Sequence, residues 1–171
     1  GFLASCGDGT LSLGVDAAGA AHVAYESLDF SLRYATNQGG TWSFSSFGPK
    51  LITGLSLVVD TSGAVHIVYG ENTNYQLHYL HNKSGTWTSE IISGLSYSPS
   101  LSLDAAGKAH VSYYSTGLSY ASNSSGTWHS ATIDSGFSHT STDTTDIAVD
   151  SQGKAHIVYS SYQGIRYATN K

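Results

Sequence analysis

The sequence is poor in charge: only 11% of its 171 residues are Asp, Glu, Lys or Arg, and the net charge is -5. The seven basic residues are scattered, whereas a nucleic-acid surface needs clustered Lys and Arg, so no nucleic-acid partner is expected. The single cysteine, Cys6, excludes an internal disulfide. Every apolar run is shorter than the roughly 18 residues of a membrane span, so no transmembrane segment is predicted.

Apolar and turn-forming residues are plentiful instead. Hydrophobic residues make up 40% of the chain, which also has 19 Gly and 12 Tyr. Such a composition is too apolar and aromatic for a disordered chain. Segments rich in Val, Ile, Tyr and Thr, separated by Gly, Ser and Asn, predict an all-β protein.

The segment "LASC" at residues 3–6 fits the lipobox of bacterial lipoproteins, in which the cysteine receives lipid. The alternative is a chance match inside a strand, because patterns of small and apolar residues are common. With few charges and many Ser, Thr, Gly and Tyr, the composition favours an exported protein. We therefore expect a secreted or cell-surface protein from a bacterium-like source, with a lipid anchor at Cys6 as one form of that hypothesis.

A fourfold internal repeat dominates the sequence. Its copies begin with "LSLGVDAAGAAHVAY", "LSLVVDTSGAVHIVY", "PSLSLDAAGKAHVSY" and "TDIAVDSQGKAHIVY". Asp16, Asp60, Asp104 and Asp150 recur at intervals of 44, 44 and 46 residues. Each copy contains three short segments, here called strands A to C, and the first three copies add a strand D. A "D-x-x-G" turn joins strand A to strand B, and an "N-x-x-G" turn joins strand C to strand D. Four short antiparallel strands at this period are typical of a β-propeller blade.

The turn before strand D adds a resemblance. "ATNQGGTW" resembles the Asp-box of sialidase-type propellers, with Asn37, Gly39, Thr41 and Trp42 at the positions of that motif. Ser84 and Ser125 replace its glycine in the next two copies. The resemblance implies a folding element remote from any active site. A sialidase also needs a cluster of arginines, whereas only Arg33 and Arg166 are present, so sialidase activity is not expected.

The fourth copy lacks strand D, and the N-terminal segment is a candidate for it. Aligned on the repeat, Phe2, Leu3 and Ala4 correspond to Glu90, Ile91 and Ile92. We predict one domain over residues 1–171, with blades at about 10–48, 54–93, 98–134 and 144–171 plus 1–6. It is then a propeller of four four-stranded blades, the last one closed by the N-terminal strand. The alternatives are half of an eight-bladed dimeric ring, a piece of a longer array, and a structural homo-oligomer.

No pattern in the chain indicates catalysis. Nucleophile-elbow, zinc-protease, phosphate-loop and calcium-loop motifs are absent. One histidine recurs on strand B of every blade, but the channel of a propeller is lined by strand A, so these imidazoles are not expected to converge on a metal. We predict no catalytic residue, metal or cofactor, and buried structural roles for His22, His66, His110 and His156.

The loops between strands B and C differ from copy to copy, and so do the connections between blades; in a propeller both lie at one end. The four B–C loops are "ESLDFS", "GENTNYQ", "YSTG" and "SYQG". Polar residues surround their aromatics, and the connection 134–146 adds Asp134, Phe137, His139 and Asp143. An aromatic face beside carboxylates and amides suits a sugar ring, so we predict a glycan or another surface ligand. Three alternatives stay open: aromatics that merely plug this end, a cation held by acidic loops, and a glycoside hydrolase with paired carboxylates. The predicted ligand-binding residues are Phe30, Tyr75, Tyr114, Tyr162, Asp29, Glu71, Asn74 and Gln163.

Overall fold

The computed structural model describes residues 6–94, 96–136 and 143–170. Within these ranges the chain forms fifteen β-strands and no helix. In chain order the strands are β1 (Cys6–Val15), β2 (Ala21–Ser27), β3 (Ser31–Thr36), β4 (Ser43–Pro49), β5 (Ile52–Val59), β6 (Val65–Glu71), β7 (Gln76–His81), β8 (Thr88–Ser93), β9 (Tyr97–Leu103), β10 (Ala109–Tyr114), β11 (Leu118–Ser122), β12 (His129–Asp134), β13 (Thr145–Val149), β14 (Ala155–Ser161) and β15 (Gly164–Thr169).

The strands form four antiparallel meanders. Their orders are β1-β2-β3-β4, β5-β6-β7-β8, β9-β10-β11-β12 and β13-β14-β15. Successive sheets pack through their first strands, since β5 contacts β1, β9 contacts β5 and β13 contacts β9. Equivalent residues pair in the same register, as in Leu57↔Ile67 and Leu101↔Val111. The blade pattern predicted from the repeat is therefore confirmed.

The core lies between the sheets rather than inside one sheet. On strand A the large residues Leu57, Leu101 and Ile147 are buried against the preceding sheet. Fully burying one such side chain contributes about 1.5–3 kcal/mol. Because every internal sheet has a neighbour on both faces, strands such as β6 and β10 are buried along their whole length.

Each A–B turn is held by its aspartate. One oxygen of Asp16 accepts hydrogen bonds from the backbone N–H groups of Ala18 (2.9 Å) and Ala20 (2.8 Å). Gly19 has a φ of +84°, a left-handed conformation that glycine adopts without steric cost. The turn chemistry predicted for the "D-x-x-G" motif is confirmed.

Closure of the ring stays a prediction. The fourth sheet has three described strands, and residues 2–5, proposed as its outer strand, lie outside the described residues. Cys6 pairs with Ser27, which assigns it to the first sheet and not to the fourth. None of the described segments forms a helix long and apolar enough to cross a membrane.

Candidate functional site

The recurrent histidines belong to a hydrogen-bonded chain that links three strands of each sheet. His66 Nε2 lies 3.1 Å from the carboxylate of Asp60, and His66 Nδ1 lies 2.5 Å from the hydroxyl of Tyr79. A carboxylate only accepts hydrogen bonds, so Nε2–H donates to Asp60, and in the neutral ring Nδ1 accepts from Tyr79. Burial lowers the pKa of His66, which favours this neutral form. Equivalent chains are Asp16–His22–Tyr34, Asp104–His110–Tyr120 and Asp150–His156–Tyr167.

This arrangement leaves the imidazoles no role as metal ligands. Both ring nitrogens are engaged within one sheet, and no group of three or more His, Cys, Asp or Glu that could hold a metal exists in the described part of the chain. The buried structural role predicted for His22, His66 and His110 is confirmed, whereas His156 makes the same hydrogen bonds but is half-exposed.

A cavity of about 460 Å³ lies at the end of the molecule that carries the A–B turns, between the turns that begin at Asp60 and Asp104. Its two carboxylates are already bound by backbone N–H groups and by His66 and His110. Its walls are otherwise made of the small and aliphatic residues of strand A and its turn. The polar groups of this cavity therefore serve the fold.

The opposite end carries two exposed aromatic rings on strained backbone. Phe30 and Tyr75 have φ values of +59° and +56°, and each ends a B–C loop immediately before strand C. Large side chains rarely adopt a left-handed conformation, which costs on the order of 1–3 kcal/mol. Both rings are exposed. Alignment of the repeat shows that the two residues are equivalent, but it does not reveal the backbone strain.

The loops of Phe30 and Tyr75 are joined through Leu51. The N–H groups of Lys50 (2.7 Å) and Leu51 (3.4 Å) donate to the carbonyl of Phe30, and Asn72 N–H donates to the carbonyl of Leu51 (3.0 Å). The first two B–C loops therefore lie side by side, with Leu51 between them. We call the surface formed by Asp29, Phe30, Leu51, Asn74 and Tyr75 the loop site.

Asp29 and Arg33 form an exposed ion pair beside Phe30, with 3.0 Å between Arg33 Nη2 and Asp29 Oδ2. The other carboxylate oxygen accepts hydrogen bonds from Ser27 Oγ and from the backbone N–H of Ser31. The hydrogen bond from Ser27, followed by that from Ser31, lowers the pKa of Asp29 well below its ordinary value. Asp29 is thus a fixed, charged acceptor at the surface.

Glu71 lies beneath the loop site, where it is buried. Its Oε2 is 3.1 Å from His78 Nε2 and 3.6 Å from Lys50 Nζ, at ion-pair distance, and the hydroxyl of Thr73 donates to Oε1 (2.6 Å). The ring of His78 stacks on Tyr69 at 5.0 Å. Glu71 was predicted as a ligand-binding residue, but its carboxylate is enclosed by protein groups and instead holds Lys50 and the second B–C loop in place.

Tyr162 and Gln163 lie apart from the loop site, on the fourth sheet. Gln163 Nε2 donates to the hydroxyl of Tyr162 (2.9 Å). Behind them Arg166 Nη1 lies 2.5 Å from the carboxylate of Asp134, which also accepts from the hydroxyl of Tyr159 (2.8 Å). The N–H of Gly136, with Tyr159 and Arg166, lowers the pKa of Asp134. The sequence-predicted residues therefore form two groups rather than one.

Tyr114 was wrongly predicted to line this end. Its side chain is 0% exposed, and its hydroxyl donates to the carbonyl of Ser160 (2.6 Å) in the next sheet. It occupies the last position of β10 and packs with Leu118, Ile147 and the fourth sheet. The burial of Tyr114 favours the alternative in which the aromatic fills this end and binds no ligand, although the ring packs against the next blade. Phe137 and His139, named with the connection 134–146, lie outside the described residues.

No protein-family model and no curated protein matches the chain. Among solved structures it superimposes on AofleA from Arthrobotrys oligospora with a TM-score of 0.69 and 15% identity, over 94% of this chain and 53% of AofleA. For the lectin of Aleuria aurantia, a six-bladed β-propeller with a fucose recognition mode, the TM-score is 0.64 and the identity 14%, over 94% and 58%. For virginiamycin B lyase from Staphylococcus aureus they are 0.58 and 12%, over 95% and 55%. The chain spans a little over half the length of these proteins, and the likeness shows that its fold is that of a β-propeller.

Proposed function

We propose that the chain is a non-catalytic, glycan-binding propeller module whose loop site takes a sugar ring. The observation that carries the proposal is the pair of exposed rings, Phe30 and Tyr75, on adjoining loops. Sugars present C–H faces that pack on aromatic rings, and hydroxyl groups that need hydrogen-bond partners at the same time. The loop site supplies both kinds of contact.

The side chains that could form hydrogen bonds with a sugar are next to the two aromatic residues in the sequence. Asp29 precedes Phe30, and Asn74 precedes Tyr75. The carboxylate of Asp29 accepts from sugar hydroxyls while Arg33 donates to them, and the amide of Asn74 does either. Since Asp29 and Arg33 are already paired in the free protein, a hydroxyl group joins a preformed network and little ordering is required.

Backbone strain supports a binding role for the two rings. A Gly or Asn would occupy the left-handed positions with less strain, yet the chain places large aromatic residues there and leaves their faces in solvent. Neither ring belongs to a core cluster, so packing does not account for them. A ligand that covers the two rings would account for their position.

The fold comparison makes fucosylated glycans the first ligands to test, because the Aleuria aurantia lectin was solved with Fucα1-6GlcNAc and superimposes at a TM-score of 0.61. Recognition of glycans also agrees with the secreted or cell-surface location expected from the composition. A lipid anchor at Cys6 is compatible with that location.

The charge states of Asp29 and Asp134 argue against either of them as the acid of a hydrolase. A glycosidase acid must hold its proton near neutral pH, which requires a raised pKa. The pKa of Asp29 is lowered by the hydrogen bond from Ser27, and that of Asp134 by the N–H of Gly136. Both groups are ionised acceptors and are therefore unsuited to protonate a leaving group.

A glycan array followed by fluorescence titration tests the proposal. We expect the wild type to bind a subset of glycans, fucosylated ones among them, and Phe30→Ala and Tyr75→Ala to weaken binding at least tenfold, equivalent to about 1.4 kcal/mol each. Phe44→Ala is the matched control, because Phe44 is an equally exposed aromatic on the outer strand β4. Absence of binding across a broad panel, or an equal loss in Phe44→Ala, would refute the proposal.

A further inference from the structure

The first three sheets are held to one another by the same two kinds of contact, and the third and fourth sheets share the first of these. On strand A, the N–H of Leu57 donates to Ser12 Oγ (2.9 Å), that of Leu101 to Ser56 Oγ (3.2 Å) and that of Ile147 to Ser100 Oγ (3.3 Å). Further out, Trp87 packs edge-on against Tyr34, and Trp128 against Tyr79, each in the preceding sheet. These contacts define a leading face, which binds the preceding sheet, and a trailing face, which binds the following one.

The leading face of the first sheet is uncovered. Leu13 is 60% exposed, whereas its equivalent Leu57 is 5% exposed. Leu11 and Val15 on the same strand are exposed as well, and Trp42 is more open than its equivalents Trp87 and Trp128. The first sheet therefore presents an apolar surface that every later sheet buries.

The trailing face of the fourth sheet is uncovered in the same way. Tyr167 is 57% exposed, while its equivalent Tyr79 is 0% exposed. Val158 and Ile165 are exposed, although the corresponding Val68 and Leu77 of the second sheet are fully buried. Apolar patches of this kind on a soluble protein mark interaction surfaces.

The two uncovered faces complement one another residue by residue. Tyr167 lacks the tryptophan that contacts Tyr34 and Tyr79, and Trp42 lacks the tyrosine that contacts Trp87 and Trp128. On strand A, Asp146 occupies the position of Ser12, Ser56 and Ser100, but its Oδ1 accepts a hydrogen bond from Ser100 Oγ of the preceding sheet (2.8 Å), so this side chain is engaged within the chain. The N–H of Leu13 is the donor that corresponds to those of Leu57 and Leu101.

We propose that the trailing face of the fourth sheet binds the leading face of a second copy of this chain. In that joint Trp42 of one copy packs edge-on against Tyr167 of the other, and Leu13 covers Val158 and Ile165. The occupant is a second copy because the joint repeats an interface that the chain already forms three times within itself. Within the described residues the two faces do not cover one another, since both are exposed in the same molecule.

The joint is heterologous: each copy uses a different face, so copies associate head to tail and form rings or open arrays. This geometry permits a complementation test by analytical ultracentrifugation. Leu13→Glu blocks only the leading face, and Ile165→Glu blocks only the trailing face. Neither variant associates alone, but an equimolar mixture restores one joint and gives a dimer.

We expect the wild type to sediment as a species of at least twice the 18.0 kDa chain mass, and each variant as a single chain. Ile91→Glu, an equally exposed aliphatic on the outer strand β8, is the control and stays associated. Circular dichroism verifies that all three variants keep their β structure. A wild type that remains monomeric at the highest concentration overturns the proposal, as does a mixture of the two blocked variants that shows no dimer.

Discussion

Trp87 of the second sheet packs edge-on against Tyr34 of the first, with 5.1 Å between ring centroids and 67° between ring planes. Phe47 of the first sheet also packs edge-on against this indole, with 5.0 Å between ring centroids. The tryptophan of the "GTW" turn therefore reaches across to the preceding sheet. This contact explains why the turn repeats even though it lies far from the loop site.

Trp87→Ala is expected to lower the free energy of unfolding by about 3 kcal/mol, because it removes a large apolar side chain from between two sheets. Trp42→Ala is the matched control, since Trp42 occupies the same turn of the first sheet, where it is 39% exposed and no described sheet packs against it. There we expect a loss under about 1 kcal/mol when urea unfolding is measured on dissociated chains. Equal losses in the two variants would show that the tryptophan acts within its own turn.

The repeat made the sheets predictable, because equal residues at equal spacing must pair in the same register. It predicted the turn aspartates and the structural histidines for the same reason, although His156 is half-exposed. The loop site was harder to predict. Phe30 and Tyr75 are aromatic in the sequence, but their left-handed backbone and their link through Leu51 depend on contacts between blades. Tyr114 was misplaced because it stands at a strand end, where one position decides between solvent and the next sheet.

The Asp–His–Tyr chains predict a loss of stability in acid. Burial alone would raise the pKa of Asp60, but hydrogen bonds from Ser62, His66 and the N–H of Ala64 outweigh it and lower the pKa to about 2, against an ordinary value of 3.8. Between pH 4 and pH 2 the native state thus binds fewer protons than the unfolded state, so the free energy of unfolding falls as the pH falls. Asp60 accounts for about 2 kcal/mol of that decrease.

Thermal unfolding monitored from pH 7 to pH 2 measures this effect. The lowered pKa of His66 acts with the same sign, beginning near its ordinary value of 6.5, since an imidazole that stays neutral in the native state favours unfolding once the solution is acidic. Asp60→Asn should be less stable at pH 7 and show a shallower decline between pH 4 and pH 2. A variant that keeps the wild-type slope would assign the acid sensitivity to other groups.

Tyr79→Phe tests the tyrosine end of the Asp60–His66–Tyr79 hydrogen-bond chain. The hydroxyl of Tyr79 is the donor to His66 Nδ1, and both side chains are fully buried, so the substitution leaves a buried nitrogen without a partner. We expect a loss of about 1–3 kcal/mol in urea unfolding. In dissociated chains, Tyr167→Phe removes the same hydroxyl from the exposed pair with His156, where water replaces it, and should change stability by less than about 0.5 kcal/mol.

Gly117→Ala should disrupt the connection between the third and fourth sheets. A Cβ at Gly117 would collide with the carbonyl oxygen of Asp134 and lie 3.0 Å from Cα of Ser135, and both of these are backbone atoms that cannot move aside alone. The expected cost is about 3 kcal/mol, at the upper end for overpacking. Gly94→Ala is the control, because its Cβ would meet only the carbonyl of Tyr75 at 3.9 Å. A neutral Gly117→Ala would mean that the Asp134 loop adapts easily.

Tyr75→Asn separates the effect of backbone strain on stability from the effect of the aromatic ring on glycan binding. Asn tolerates the left-handed conformation that Tyr75 adopts at a φ of +56°, so the variant should unfold at higher urea concentration, by roughly 0.5–1 kcal/mol. Glycan binding should be lost in the same variant, because the exposed ring is removed. Phe44→Asn, on ordinary strand backbone, should lower stability and leave binding intact. Stability and binding that change in opposite directions only at Tyr75 indicate strain retained for ligand contact, whereas a destabilised Tyr75→Asn would indicate that the ring supports the fold.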